Sequence, residues 1–340
     1  AAVRRHRALP AVERPPERPG PGPVPPAVLR SLDLAVLRRV ESLVPGEHLT
    51  PQVGAGTELA MIRPYFPGDD VRYIDWNVTA RMREPHVRVH IGERALTAWL
   101  VLDASASMAF GTADRRKADV AEGVAIAVGH VASRRGNRLG LVAFGGGAPK
   151  VLRPRQGRIG LLQLLAELRR EPEVGAGSLG AAIAATAAVA RQRGLVVVVS
   201  DFRGERDWEG PLGALRARHG VLAVEIRDPR EMELPPVGDL WMTDPETGRQ
   251  LQVNTSRRSV RRRFAKAAAE EREEVAAAIR GSGADHLVLS TQGDWLRDLA
   301  THLRRGEAAL RATSPARAVA AARAGRPRPP IEDDDRESLG

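Results

Sequence analysis

Cysteine is absent from all 340 residues. That removes disulfides, thiolate nucleophiles and zinc–sulfur sites, and it leaves the redox compartment open. No stretch approaches the roughly 20 apolar residues needed to span a bilayer. The Arg- and Pro-rich start has no apolar segment behind it, so it is not a signal peptide. The chain begins at Ala1 rather than Met, which leaves room for an upstream segment; the expectation is a soluble, cytoplasmic protein. The usual catalytic signatures are missing as well. There is no G-x-S-x-G, no H-E-x-x-H, no phosphate-cradling or dinucleotide-binding glycine loop, and Ser105 stands where a phosphatase would carry the second acid of Asp-x-Asp. His86 and His90 share a face of one strand-like segment, a spacing that arises by chance as readily as by ligation. No catalytic residue is assigned.

Lysine is scarce too, at three of the 52 basic residues. The net charge of +10 is therefore an arginine charge in an Ala- and Gly-rich chain, and it is uneven. Residues 1–30 hold six Arg against two Glu, whereas residues 306–340 hold six Arg against six acids. The rest is mixed in sign, and aromatics make up only 4% of the chain, so no stacking platform for nucleic acid accompanies the charge.

What is present is a core. Apolar residues reach 43%, enough for one large domain with appendages. Residues 1–27 read as a disordered Pro/Arg-rich arm. Residues 28–95 read as an N-terminal helix (28–44) followed by a β-rich subdomain. Residues 96–305 alternate strands with helices: strands at 97–103, 139–144, 150–153, 195–200, 221–226 and 286–289, and helices at 116–135, 158–170, 179–193, 209–219, 257–280 and 294–304. A hairpin insertion falls near 240–254, and 306–340 is a disordered tail. Buried strands alternating with helices predict an α/β fold, a doubly wound, mostly parallel sheet flanked by helices.

The first apolar strand ends in Asp103-Ala-Ser105-Ala-Ser107, and the strand Val196-Val-Val-Val199 ends in Ser200-Asp201. In doubly wound sheets ligands bind at the carboxyl ends of strands. Two carboxylates and two hydroxyls there offer hard oxygen donors suited to Mg2+ or Mn2+. Asp103 and Ser105 are also residue types that cap turns without binding anything.

The Asp-x-Ser-x-Ser run resembles the metal-ion-dependent adhesion site (MIDAS) of von Willebrand factor A-like domains. That resemblance implies Asp103, Ser105, Ser107 and Asp201 as metal ligands. It places Gly177 where a Thr ligand is usual, with Ser178 one residue later as a possible substitute. A second string is similar to the hallmark of domain-of-unknown-function family 58 (DUF58): Gly56-Thr-Glu-Leu, Arg63-Pro-Tyr65, Pro67-Gly68-Asp69-Asp70, Arg72, Ile74-Asp75-Trp76, Ala80-Arg81 and Glu93. Arg63, Arg72 and Arg81 alternate with acids, predicting half-buried ion pairs, and Trp76 and Tyr65 are expected to anchor the segment on the sheet. The family often carries two N-terminal transmembrane helices, which these residues lack. The resemblance implies a protein-binding adaptor with a Mg2+ (or Mn2+) site, working beside a MoxR-type AAA+ ATPase in chaperone-like assembly or maturation of client proteins. The alternatives are a basic, nucleic-acid-associated protein and a metal-dependent hydrolase.

Overall fold

A computed structural model describes residues 20–25, 58–91, 97–132, 137–156, 177–243 and 248–313. The expected helices at 28–44 and 158–170, and Glu93, lie outside the described residues.

Strands β1 (Glu58–Pro64) and β2 (His86–Ile91) form an antiparallel pair. Between them runs helix α1 (Trp76–Met82). Asp75 starts that helix, because its carboxylate accepts hydrogen bonds from the free amides of Asn77 and Val78. The other carboxylate oxygen takes Arg88 Nε of β2 at 2.8 Å, pinning the helix to the hairpin. Arg63 grips Asp69 with both guanidinium nitrogens, at 2.6 and 2.7 Å, and Arg72 pairs with Asp70. Two of the three expected arginines thus find acids, although the Arg72–Asp70 pair is exposed rather than half-buried; Arg81 is exposed, and Asp75 pairs with Arg88 instead. Tyr65 is half-buried. Trp76 is a correction: it is 71% exposed and anchors nothing. As the first residue of a helix held down by Asp75 and Arg88, it needs no apolar contact of its own.

The main sheet has six strands in the order β10-β7-β6-β3-β4-β5. They are β3 (Thr97–Asp103), β4 (Arg138–Phe144), β5 (Lys150–Gln156), β6 (Leu195–Ser200), β7 (Gly220–Arg227) and β10 (Asp285–Ser290). All neighbours pair in parallel except β5, an antiparallel edge. The doubly wound, mostly parallel fold expected of a von Willebrand factor A-like domain is therefore what the chain forms. Every residue of β3 is buried, as a central strand covered on both faces requires.

Because side chains alternate across a strand, the sheet sorts its residues into two cores. Leu100, Leu102, Val197 and Val199 pack under α2 (Lys117–Ala132) and α6 (Trp295–Thr313). Trp99, Val101, Val196 and Val198 pack under α3 (Leu179–Val189), α4 (Glu209–Arg216) and α5 (Arg258–Gly281). From β3 the chain builds outward to β4 and β5, then returns to the opposite side for β6, β7 and β10. The reversal opens a crevice at the carboxyl ends of β3 and β6.

Strands β8 (Asp239–Thr243) and β9 (Gln250–Asn254) form the expected hairpin. Two boundaries differ from expectation. Within the presumed disordered arm, residues 20–25 lie against the domain: Gly20 N donates to Asp119 Oδ1, Trp295 Nε1 donates to the Pro21 carbonyl at 3.0 Å, and Val24 packs on the core. Within the presumed tail, α6 continues to Thr313.

Candidate functional site

The carboxyl edge brings Asp103, Ser105, Ser107 and Asp201 together. Asp103 closes β3 fully buried. Its Oδ1 accepts the Ser105 amide at 2.9 Å, and its Oδ2 accepts the Ser200 hydroxyl at 2.5 Å. The Ser105 and Ser107 hydroxyls lie 3.0 Å apart, and Ser107 Oγ donates to Asp201 Oδ2 at 2.8 Å. Asp201 Oδ1 accepts the Arg203 amide, and between them Phe202 is held at a positive φ of 53°. That backbone conformation disfavours a bulky side chain. It is sustained by burial of the Phe202 ring edge-on against Trp208, with centroids 5.2 Å apart.

Helix α2 adds a residue that motif reading did not reach. Lys117 is 1% exposed. Its ammonium lies 2.6 Å from Asp201 Oδ2 and 2.7 Å from Glu231 Oε1, with the Phe110 ring alongside. Glu231 also accepts Arg203 Nη1 at 3.1 Å, and Arg272 of α5 donates to the Asp201 carbonyl and to Glu225. Arg227 and His286 complete the surroundings of Glu225. The buried carboxylates Asp201, Glu225 and Glu231 are each paired with at least one of the cations Lys117, Arg203, Arg227 and Arg272, while a further buried acid, Asp228, gives its amide to Glu231 and accepts the Thr112 and Thr291 hydroxyls.

These neighbours split the two aspartates. Burial, with the nearby charge of Asp201, pushes the Asp103 carboxyl up to about 6. Burial pushes Asp201 the same way, but the Lys117 ammonium and the Arg203 and Ser107 hydrogen bonds outweigh it and hold Asp201 below the usual carboxylate range.

A family model described as "Protein of unknown function DUF58" matches residues 61–274. The chain belongs to the DUF58 family. It is similar to the uncharacterized protein Rv1480 of Mycobacterium tuberculosis (strain H37Rv), at 44% identity over 278 residues, 80% of this chain and 87% of the relative. It is also similar to the uncharacterized protein MAV169 of Mycobacterium avium, at 44% identity over 156 residues, 44% of this chain and 90% of that one. Among solved structures, the conserved hypothetical protein BatB from Bacteroides thetaiotaomicron aligns at 12% identity with a TM-score of 0.41, covering 63% of this chain and 99% of that one. A von Willebrand factor type A protein from Catenulispora acidiphila aligns at 13% identity and a TM-score of 0.34, covering 62% and 41%.

Does this DUF58 chain carry the donors of a divalent-ion site? The position expected for a Thr ligand is closed by backbone. A Cβ on Gly177 would stand 2.5 Å from the Gly145 amide, and one on Gly145 would stand 2.4 Å from the Ala104 carbonyl carbon. Three loops meet there with no room for a side chain. Ser178 does not substitute. Its hydroxyl caps α3 by accepting the Ala181 amide at 2.8 Å, and it donates to Asp207. Asp201 Oδ2 already holds an ammonium. Two unit charges 4 Å apart repel by about 4 kcal/mol at an effective dielectric constant of about 20, and a divalent ion doubles that. The residues as placed do not fit a resident Mg2+ or Mn2+.

One other feature of this edge is built by α5. Arg272 reaches the carboxyl end of β6, and the buried residues of the helix are Arg272, Val275, Ala276 and Ile279. Residues 258–271, roughly 20 Å of helix at 1.5 Å per residue, therefore run past the sheet edge. Arg257, Arg258, Arg262, Arg263 and Lys266 are exposed along that stretch, and no acid occupies its first turn. Cations at a helix N-terminus oppose the helix dipole, so this charge is not there for the helix. Beside it in the chain, the β8–β9 hairpin leaves Trp241 half-exposed at 50%.

Proposed function

We propose that this DUF58 chain is a non-enzymatic protein-binding module whose partner docks at the carboxyl edge of the six-stranded sheet, against the basic half of α5. The α/β domain of von Willebrand factor A-like type fits a protein-interaction role. The observation that carries the proposal is the run of exposed cations on a helix segment with no fully buried residue, which calls for an acidic surface on the partner. A non-enzymatic role is supported by the serines: Ser105 and Ser107 bond each other, and Ser107 donates to Asp201, a carboxylate already engaged by Lys117. His86 is buried with its Nδ1 on the Glu84 carbonyl, a structural position.

The finer expectation is a cytoplasmic adaptor beside a MoxR-type AAA+ ATPase, serving assembly or maturation of client proteins. Family membership supports it. No described helix is long and apolar enough to cross a membrane.

The test measures binding of the full chain to the MoxR-type ATPase of the same genome and, separately, to duplex DNA. Wild type should bind the ATPase, and Arg262→Glu/Arg263→Glu/Lys266→Glu should bind at least about tenfold more weakly, a loss of about 1.4 kcal/mol. Equal binding by the two proteins rejects the docking face. Tight DNA binding that falls steeply between about 50 and 200 mM salt would favour the nucleic-acid alternative instead.

A further inference from the structure

We propose that the Lys117 ammonium is the resident counter-cation of the strand-end site, standing in place of a divalent ion, so that this face is charge-balanced and works without metal. Three independent observations carry this. The first is geometric. Nζ sits within 2.7 Å of both Asp201 Oδ2 and Glu231 Oε1, inside the fold, and the carboxylate it occupies is the one a strand-end cation would need. The second is the pairing around it: the buried carboxylates of the network it joins, Asp201, Glu225 and Glu231, each already hold at least one protein cation. The third is steric: the loop that would supply a further oxygen ligand is closed at Gly177 by the Gly145 backbone.

The residue type supports the assignment. This chain uses Arg for 49 of its 52 basic positions, yet it places one of its three lysines here. An ammonium is a compact point charge with three donors, whereas guanidinium is a broad planar fork. Between two carboxylate oxygens at this spacing the compact cation fits, and its concentrated charge resembles a metal ion more than the delocalised charge of guanidinium does. The Phe110 ring, 5.9 Å from Nζ, covers it on the outer side. Unlike a bound ion, this cation is tethered to α2. It cannot be chelated, exchanged or completed by a carboxylate from a partner. Recognition at this edge is thereby left to the half-exposed Ser105 and Ser107 and to the exposed cations of α5.

The inference concerns the same face as the proposed function but is tested with no partner present, so either can fail alone. Free aqueous Mn2+ gives an electron paramagnetic resonance signal that disappears on binding. Full-length wild type should leave that signal intact at one equivalent, and its thermal midpoint should be the same in Mg2+ and in EDTA. Lys117→Met, which keeps the length and apolar stem but removes the charge, should gain one Mn2+ equivalent with at least tenfold higher affinity. Adding Ser107→Ala to Lys117→Met should abolish the gain. Stoichiometric Mn2+ uptake by wild type that Ser107→Ala removes would overturn the proposal, as would a folded Lys117→Met that takes up none. If Lys117→Met does not fold, the wild-type measurement decides by itself.

Discussion

Lys117 and Asp201, separated by 84 positions in the chain, meet at 2.6 Å in the interior. The pair joins the start of α2 to the end of β6, across the crevice that the strand order opens. Burying either charge alone would cost several kcal/mol. Together they hold because further partners share the load: the ammonium also reaches Glu231, and the carboxylate also takes a hydroxyl and an amide. The adhesion-site motif at the end of β3 is thus embedded in an ion network that neutralises it from within.

The Asp103 carboxyl gives this network a pH signature. In the folded protein it titrates at about 6, and its ordinary value is 3.8. Between those values the native state holds a proton that the unfolded chain has released. The stabilisation is therefore fully present below about pH 4 and lost as pH rises through about 6, on the order of 3 kcal/mol in all. Asp201, Glu225 and Asp228 are lowered instead, so their contributions fade at more acidic pH. His219, held down chiefly by burial, works against stability on acidification. Comparing wild type with Asp103→Asn by urea denaturation isolates the single group. The stability of wild type relative to the variant should rise from pH 7 to pH 5; parallel curves would show that Asp103 is not raised.

At Gly177 the backbone, rather than the missing hydroxyl, sets the outcome. Gly177→Thr would restore the residue usual at that position of an adhesion site, yet its Cβ meets the Gly145 amide. Both Gly177→Thr and Gly177→Ala should lower stability by about 1–3 kcal/mol, and neither should confer Mn2+ binding. A stable Gly177→Thr protein that takes up Mn2+ would refute this account of the loop.

In the β1–β2 subdomain, two adjacent signature residues should behave in opposite ways. Asp75→Ala removes the cap of α1 and the partner of Arg88 together, and should cost about 1–2 kcal/mol, visible as faster amide hydrogen exchange in α1 and β2. Trp76→Ala, at an exposed position, should change stability by no more than about 0.5 kcal/mol. A large loss at Trp76 would restore it as an anchor.

Much of this was legible from residues alone. The all-apolar runs 97–102 and 195–199 announced buried parallel strands, and an acid at the end of each placed Asp103 and Asp201 on the same edge. Arginine–acid pairing in the segment around Arg63 and Asp69 followed from alternating charge, but which acid each arginine takes did not. Exposure of Trp76 was not legible, because a Trp in a polar segment reads as an anchor unless its neighbours are known to hold the segment already. Nor was the docking of residues 20–25, since a Pro/Gly run carries no periodicity and is held here by a carboxylate and an indole from distant helices. Lys117, Glu231 and Arg272 lay outside every motif. The one available signal was a lysine in an arginine-saturated chain.

The sequence by itself determined the strand-end motif, Asp103-x-Ser105-x-Ser107 with Asp201, because hydrophobic patterning and turn chemistry act over a few residues. The features from which we propose that this motif works without an ion appear only in three dimensions. Charge balance depends on which side chains converge: Lys117 and Arg272 reach Asp201, and Glu231 reaches Lys117, from separate elements. The space for a ligand depends on how loops pack, and Gly145 fills what Gly177 leaves open.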